Sequence, residues 1–201
     1  MQHLIDEIVQ VLRRGGTILY PTDTIWGIGC DASNPLAVEK IYAIKRRDHA
    51  KSMLVLAEEF PMVAEDAFEG HFGTCEPSSP RSAMRPTTYI IPVADGRLVA
   101  ADGRVWNLAA NLPAADGTLG IRVPHHAFCQ QLLKAFGGPI VSTSANFSGE
   151  PSPQSYGEIS DALKAAVDFC VPPRPEFLSS ETRGSRIVRL LADGTQEIIR
   201  G

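Results

Sequence analysis

Leu4, Ile5, Ile8, Val9 and Leu12 recur at the 3.6-residue period of a helix, and Gly15-Gly16 follows as its stop. Thr17 to Tyr20 then reads as a buried strand that Pro21 ends. In Ser33-Asn34-Pro35 a capping side chain precedes a proline suited to the first helical position. The helix so begun points Val38, Ile41, Tyr42 and Ile44 inward and carries Lys45, Arg46 and Arg47 at its C-terminal end. Met53 to Leu56 is a further strand. Residues 70–86, rich in Gly, Pro and Ser, form a surface loop. Strands are also predicted at Thr87 to Val93, Gly120 to Val123, Pro139 to Val141, Arg186 to Leu191 and Glu197 to Ile199, with helices at about 125–136 and 156–170. Their irregular interleaving predicts an α/β or α+β fold with a mixed sheet. No repeat and no dividing linker interrupts it, so a single domain over 1–201 is expected.

Composition narrows the class. At 201 residues, 44% hydrophobic and 21% charged, the chain is large enough for a full core. No apolar run approaches the roughly 20 residues of a membrane span, and the N-terminus lacks the basic and apolar regions of a signal peptide. A cytoplasmic protein without membrane contact is expected. Cys30, Cys75, Cys129 and Cys170 lie far apart, with no CxxC pair, and read as free thiols. A net charge of −4 gives no global field for nucleic acid.

The chemistry concentrates in Ser142-Thr143-Ser144-Ala145-Asn146-Phe147-Ser148-Gly149-Glu150-Pro151, which follows the apolar Pro139-Ile140-Val141. Side chains this short leave room for a ligand, and their hydroxyls and amides can grip its oxygens. About a hundred residues upstream stand Lys45, Arg46, Arg47 and Lys51. They suit a solvated helix end facing its dipole, or a site for triphosphate gripped by guanidinium forks and a lysine point charge. In Pro21-Thr22-Asp23-Thr24-Ile25-Trp26-Gly27-Ile28-Gly29 the glycines serve either a strand-ending turn or close backbone approach to a ligand. The chain has no GxxxxGK[ST] loop, GxGxxG fingerprint, HExxH pair or GxSxG elbow. His125-His126 after Pro124 reads as a helix-start pair.

Taken in order, these segments resemble the YrdC/YciO family, in particular its threonylcarbamoyl-AMP synthases. The resemblance rests on Gly15-Gly16-Thr17, Pro21 to Gly27, Ile41 to Arg47, Pro86-Thr87-Thr88 and Leu119-Gly120-Ile121-Arg122-Val123-Pro124. Ser142 to Gly149, Ser185 to Arg189 and Ile198 to Gly201 extend it over nearly the whole chain. The family's KxR and SxN signatures fall on Lys45/Arg47 and Ser144/Asn146.

The resemblance implies an open twisted mixed sheet with flanking helices around a large concave cavity. It also implies that L-threonine, bicarbonate and ATP give threonylcarbamoyl-AMP and pyrophosphate. A separate tRNA threonylcarbamoyl transferase complex uses the product to modify an adenosine in tRNA. Lys45, Arg47, Ser144 and Asn146 carry the reaction on this view. Lys51, Thr118, Ser152 and Arg200 join them around ATP. Arg122 clamps the carboxylate of threonine, with Thr22, Thr24, Ser142 and Ser185 near its amine and hydroxyl. Mg²⁺ is expected through the phosphates, with no dedicated protein site.

The chain departs from the family pattern in three places. Lys51-Ser52-Met53 follows KxR, Ala83-Met84-Arg85-Pro86 replaces a Trp-Pro-Gly-Pro run, and Ser185-Arg186 replaces a Ser-Thr pair. Two competing readings are a non-catalytic module binding tRNA or double-stranded RNA, and a sister enzyme using a different acyl adenylate. The lack of aromatics interleaved with the cations weighs against the first. The presence of both signatures weighs against the second.

Overall fold

The computed structural model describes residues 1–49, 53–61, 85–100, 102–177, 183–191 and 195–201. Helix α1 (Gln2–Arg13) buries every apolar residue of the predicted stripe. It ends where Gly15 adopts φ 71° and the Gly15 and Gly16 amides donate back to Leu12 and Val11. Strand β1 (Thr17–Tyr20) is buried on both faces. The turn after it ends sooner than the sequence suggests, because Gly27–Cys30 is itself a strand, β2, paired antiparallel with β1.

Asn34 caps α2 (Pro35–Lys45), its side chain accepting from the Leu36 and Ala37 amides at 3.0 and 3.1 Å. Val38, Ile41 and Tyr42 point into the core, whereas Ile44 is only half-buried. The helix closes on Arg46 in the left-handed conformation, φ 51°. The Arg46 and Arg47 amides donate back to Ala43 and Tyr42, and this turns Arg47 off the helix axis.

Strands β3 (Leu54–Leu56) and β4 (Thr87–Pro92) follow. The expected loop at 70–86, with Cys75, lies outside the described residues up to residue 84. A small hairpin of β5 (Arg97–Val99) and β6 (Val105–Asn107) had no counterpart in the sequence reading. Next come β7 (Thr118–Arg122) and α3 (Ala127–Phe136). Strand β8 (Ile140–Ser144) is longer than Pro139 to Val141, because Thr143 and Ser144 pair with Ile28 and Gly27. The helix expected at 156–170 is α4 (Asp161–Ala166) only. A single 3-10 turn at Tyr156–Glu158 precedes its Ser160 cap, and the chain beyond becomes β9 (Phe169–Cys170), drawn into the sheet beside β1. Strands β10 (Arg186–Leu190) and β11 (Gln196–Arg200) complete the chain.

Among the described residues nine strands form one mixed sheet in the order β11-β10-β4-β7-β3-β8-β2-β1-β9. Helix α1 packs on α3 and β1, and α2 on β1 and β2. The sheet register decides what the remaining face presents. Ile187 lies opposite Thr88, Ile90 opposite Gly120, Gly120 opposite Leu54, Leu54 opposite Ser142, and Ser144 opposite Gly27. Because strand side chains alternate in direction, this row crosses six strands on one face, and it is small or polar for most of its length.

Candidate functional site

That row floors a cleft of about 390 Å³. Its glycines are what keep it open. A Cβ at Gly27 would come within 3.2 Å of the Thr143 carbonyl and 3.3 Å of Ser142 Oγ. One at Gly120 would come within 3.1 Å of the Thr88 methyl.

One end of the cleft is built on Arg122, at the end of β7 and only 4% exposed. Its Nη1 donates to Thr24 Oγ1 at 2.9 Å, and its Nη2 lies 3.6 Å from Asp23 Oδ1. Asp23 Oδ2 accepts from the His125 amide at 3.1 Å. Thr22 Oγ1 donates to the Ile25 carbonyl at 2.8 Å, accepts from the Thr24 amide at 3.1 Å and lies 3.0 Å from Thr24 Oγ1. The two hydroxyls are therefore spent largely on fixing the guanidinium. Arg122 Nε is buried with no hydrogen-bond partner. Across the cleft, Ser185 Oγ lies 2.7 Å from Thr88 Oγ1, and its carbonyl accepts two bonds from Arg200, at 3.0 Å from Nε and 2.6 Å from Nη2.

At the other end, Arg47 and Ser144 line the cleft together. Lys45 stands behind them. It is 1% exposed, and its Nζ donates to the Ser144 carbonyl at 2.6 Å and the Asn146 carbonyl at 2.8 Å, with Ser144 Oγ at 3.5 Å. In return the Ser148 amide donates to the Lys45 carbonyl at 2.9 Å, and the Arg46 guanidinium lies over Phe147. Loss of hydration on burial, with Arg47 nearby adding repulsion, lowers the Lys45 ammonium to about 8. Burial likewise lowers Arg47.

The structure thus gathers Thr22, Thr24, Arg47, Arg122, Ser142, Ser144, Ser152, Ser185 and Arg200 along one cleft. Lys45 is not among its lining residues; it holds the 144–146 backbone from behind. Asn146 faces an adjoining cavity of about 200 Å³ that shares Ser152 with the cleft. Its Nδ2 is engaged by the Phe147 and Glu150 carbonyls, while its buried Oδ1 has no hydrogen-bond partner. Thr118 does not line either cavity, and its amide and hydroxyl both donate to Asp116 Oδ1. Lys51 lies outside the described residues. Sequence reasoning missed Asp23, Thr88 and Gly184 as parts of the site. An acid between two threonines was the one available sign of the first.

A family model named for Sua5, YciO and YrdC, and described as telomere recombination, matches residues 10–201. The chain is 34% identical over 170 residues to the threonylcarbamoyl-AMP synthase of Chromohalobacter salexigens, covering 83% of this chain and 85% of that protein. Among solved structures, E. coli YciO superposes with a TM-score of 0.72 at 24% identity, covering all of this chain and 89% of that one. P. abyssi Sua5 in complex with L-threonine superposes with a TM-score of 0.71 at 20% identity. The match covers 98% of this chain, which spans only 53% of that longer protein.

Proposed function

The chain belongs to the Sua5/YciO/YrdC family, and from that premise we propose that it is an L-threonylcarbamoyladenylate synthase, a nucleotidyltransferase that converts L-threonine, bicarbonate and ATP into threonylcarbamoyl-AMP and pyrophosphate. The observation that carries this reading is the single cleft that Arg47, Ser144, Arg122, Thr24, Ser142 and Ser185 line together. It gives a polyanion and an amino acid adjacent seats.

The buried pair of Arg122 and Asp23 is neutral overall, as an amino-acid zwitterion is. Arg122 takes the threonine carboxylate, and the hydroxyls of Ser142 and Ser185 take its polar end. The amine, once its ammonium proton has left, combines with bicarbonate by way of CO₂ to give a carbamate and water. A carbamate oxygen then attacks the α-phosphorus and pyrophosphate departs. Such a transfer asks the protein for alignment and charge stabilisation, with no protein nucleophile. Arg47 offsets charge on the phosphates, while Lys45 fixes the Ser144 to Asn146 backbone against which they lie. Mg²⁺ enters with the nucleotide, held by phosphate oxygens and water. The product is an activated mixed anhydride, and the modification of a tRNA adenosine by a separate transferase consumes it.

The test is to incubate the pure protein with ATP, bicarbonate and each amino acid in turn. A labile threonylcarbamoyl adenylate is expected with threonine alone. Pyrophosphate release that ignores the amino acid supplied overturns the proposal.

A further inference from the structure

Strands β4 and β10 run parallel, and their register of Thr87 opposite Arg186 places Arg85 opposite Gly184, just ahead of both strands. Arg85 Nη2 lies 3.4 Å from the Gly184 carbonyl, and Arg200 holds the next carbonyl, that of Ser185. Gly184 allows this crowding, since a Cβ there would come within 2.8 Å of Arg200 Nη2. Two guanidiniums therefore bond consecutive carbonyls, those of Gly184 and Ser185; both residues line the cleft with Arg200, and Arg85 stands next to them. Among the described residues neither makes an ion pair with a carboxylate, and Arg85 Nε is buried with no hydrogen-bond partner. Burial, then Arg85, then Arg122 lower the Arg200 guanidinium, as repulsion among close cations does.

Two other cations at the cleft are already spent in part. Asp23 offsets Arg122, and Lys45 is turned inward onto two carbonyls. Among the described residues, positive charge without a carboxylate partner thus collects at Arg85 and Arg200, and a polyanion is the ligand that relieves it.

We propose that Arg85 is a further substrate-binding residue, forming with Arg200 a two-guanidinium seat for the polyphosphate of the nucleotide. The inference rests on the nucleotide-dependent reading above and adds to it a residue that the sequence motifs do not include. The zwitterionic amino acid remains with the neutral pair of Arg122 and Asp23.

Calorimetric titration with inorganic pyrophosphate tests it, with L-threonine titrated in parallel. R85Q is expected to weaken pyrophosphate about tenfold, the size of one lost charge-assisted hydrogen bond. It should leave L-threonine affinity within twofold. R85K keeps the charge and is expected to stay within about threefold of the parent protein for pyrophosphate. Unchanged pyrophosphate affinity in R85Q overturns the proposal. So does an equal loss for both ligands in R85Q and R85K, which would make Arg85 only a brace for the Gly184 carbonyl. Should R85Q fail to fold, R200K and the R85K/R200K pair carry the same comparison, and additive losses no larger than those for L-threonine overturn it. The parent protein's adenylate assay separates the two ideas. Arg85-dependent pyrophosphate binding without adenylate formation would refute the synthase and leave the seat standing.

Discussion

Lys45 is the residue whose role changed most between sequence and structure. As one of three adjacent cations it reads as a phosphate ligand, yet it is 1% exposed and bonded to two backbone carbonyls. Its chemistry is still coupled to an anion in the cleft through charge. In the free protein the ammonium sits at about 8, below its ordinary 10.5, because burial disfavours the charged form. A nearby polyphosphate favours that form, so binding draws a proton onto Lys45 once the pH exceeds about 8. ATP affinity, titrated without threonine, is expected to be flat below pH 8 and to fall above it. In K45R, whose guanidinium stays charged throughout, the break should vanish. For the free protein the sign is the reverse. The cost of burying the charge is fully present below pH 8 and is relieved between 8 and 10.5, where the unfolded chain binds the extra proton. A break that persists in K45R would assign the titration to another group.

The elements were legible where local chemistry dictates them and obscure where pairing does. The apolar stripe of α1, the Gly15-Gly16 stop and the Asn34-Pro35 start of α2 each have a local cause and lie where the pattern puts them. Strand β2 was hidden because Gly27-Ile28-Gly29 looks like a turn. Its glycines are needed for close packing against β8, since a Cβ at Gly29 would run into the Val141 carbonyl. The extension of β8 through Ser144 has the same origin, for only the partner strand makes those small polar residues extended. Two substitutions separate local from tertiary causes. N34A removes a cap and is expected to cost about 1 kcal/mol in denaturant unfolding, leaving substrate affinities alone. G29A forces β2 from β8 and should cost about 3 kcal/mol, as overpacking does at its upper end. It should also reduce turnover, because β2 and β8 carry Gly27, Ser142 and Ser144 into the cleft. Equal losses for the two variants would mean that the β2 and β8 contact is slacker than it looks.

At the scale of the molecule, the cleft brings together residues more than 150 positions apart in sequence, and the sheet order sets which of them meet. Arg47 reaches the cleft from the end of α2, Arg122 from the end of β7 and Arg200 from β11 at the sheet edge. No window of the sequence shows that order. The resemblance supplied the partners, and the register supplies the reason they share a face. If one cleft has two seats, the seats should be separable by ligand-induced stabilisation. A ligand at a hundred times its dissociation constant adds about 2.7 kcal/mol to folding, which for a chain of this size is about 5 to 10 °C in thermal midpoint. ATP and L-threonine should each shift the parent protein by that order at saturation. R122K, which keeps the charge and loses the fork held against Thr24 and Asp23, should abolish the threonine shift and preserve the ATP shift. R47A should do the opposite. If either variant loses both shifts while melting cooperatively, the two ends of the cleft act as a single seat, and the assignment of amino acid to one end and phosphates to the other is wrong.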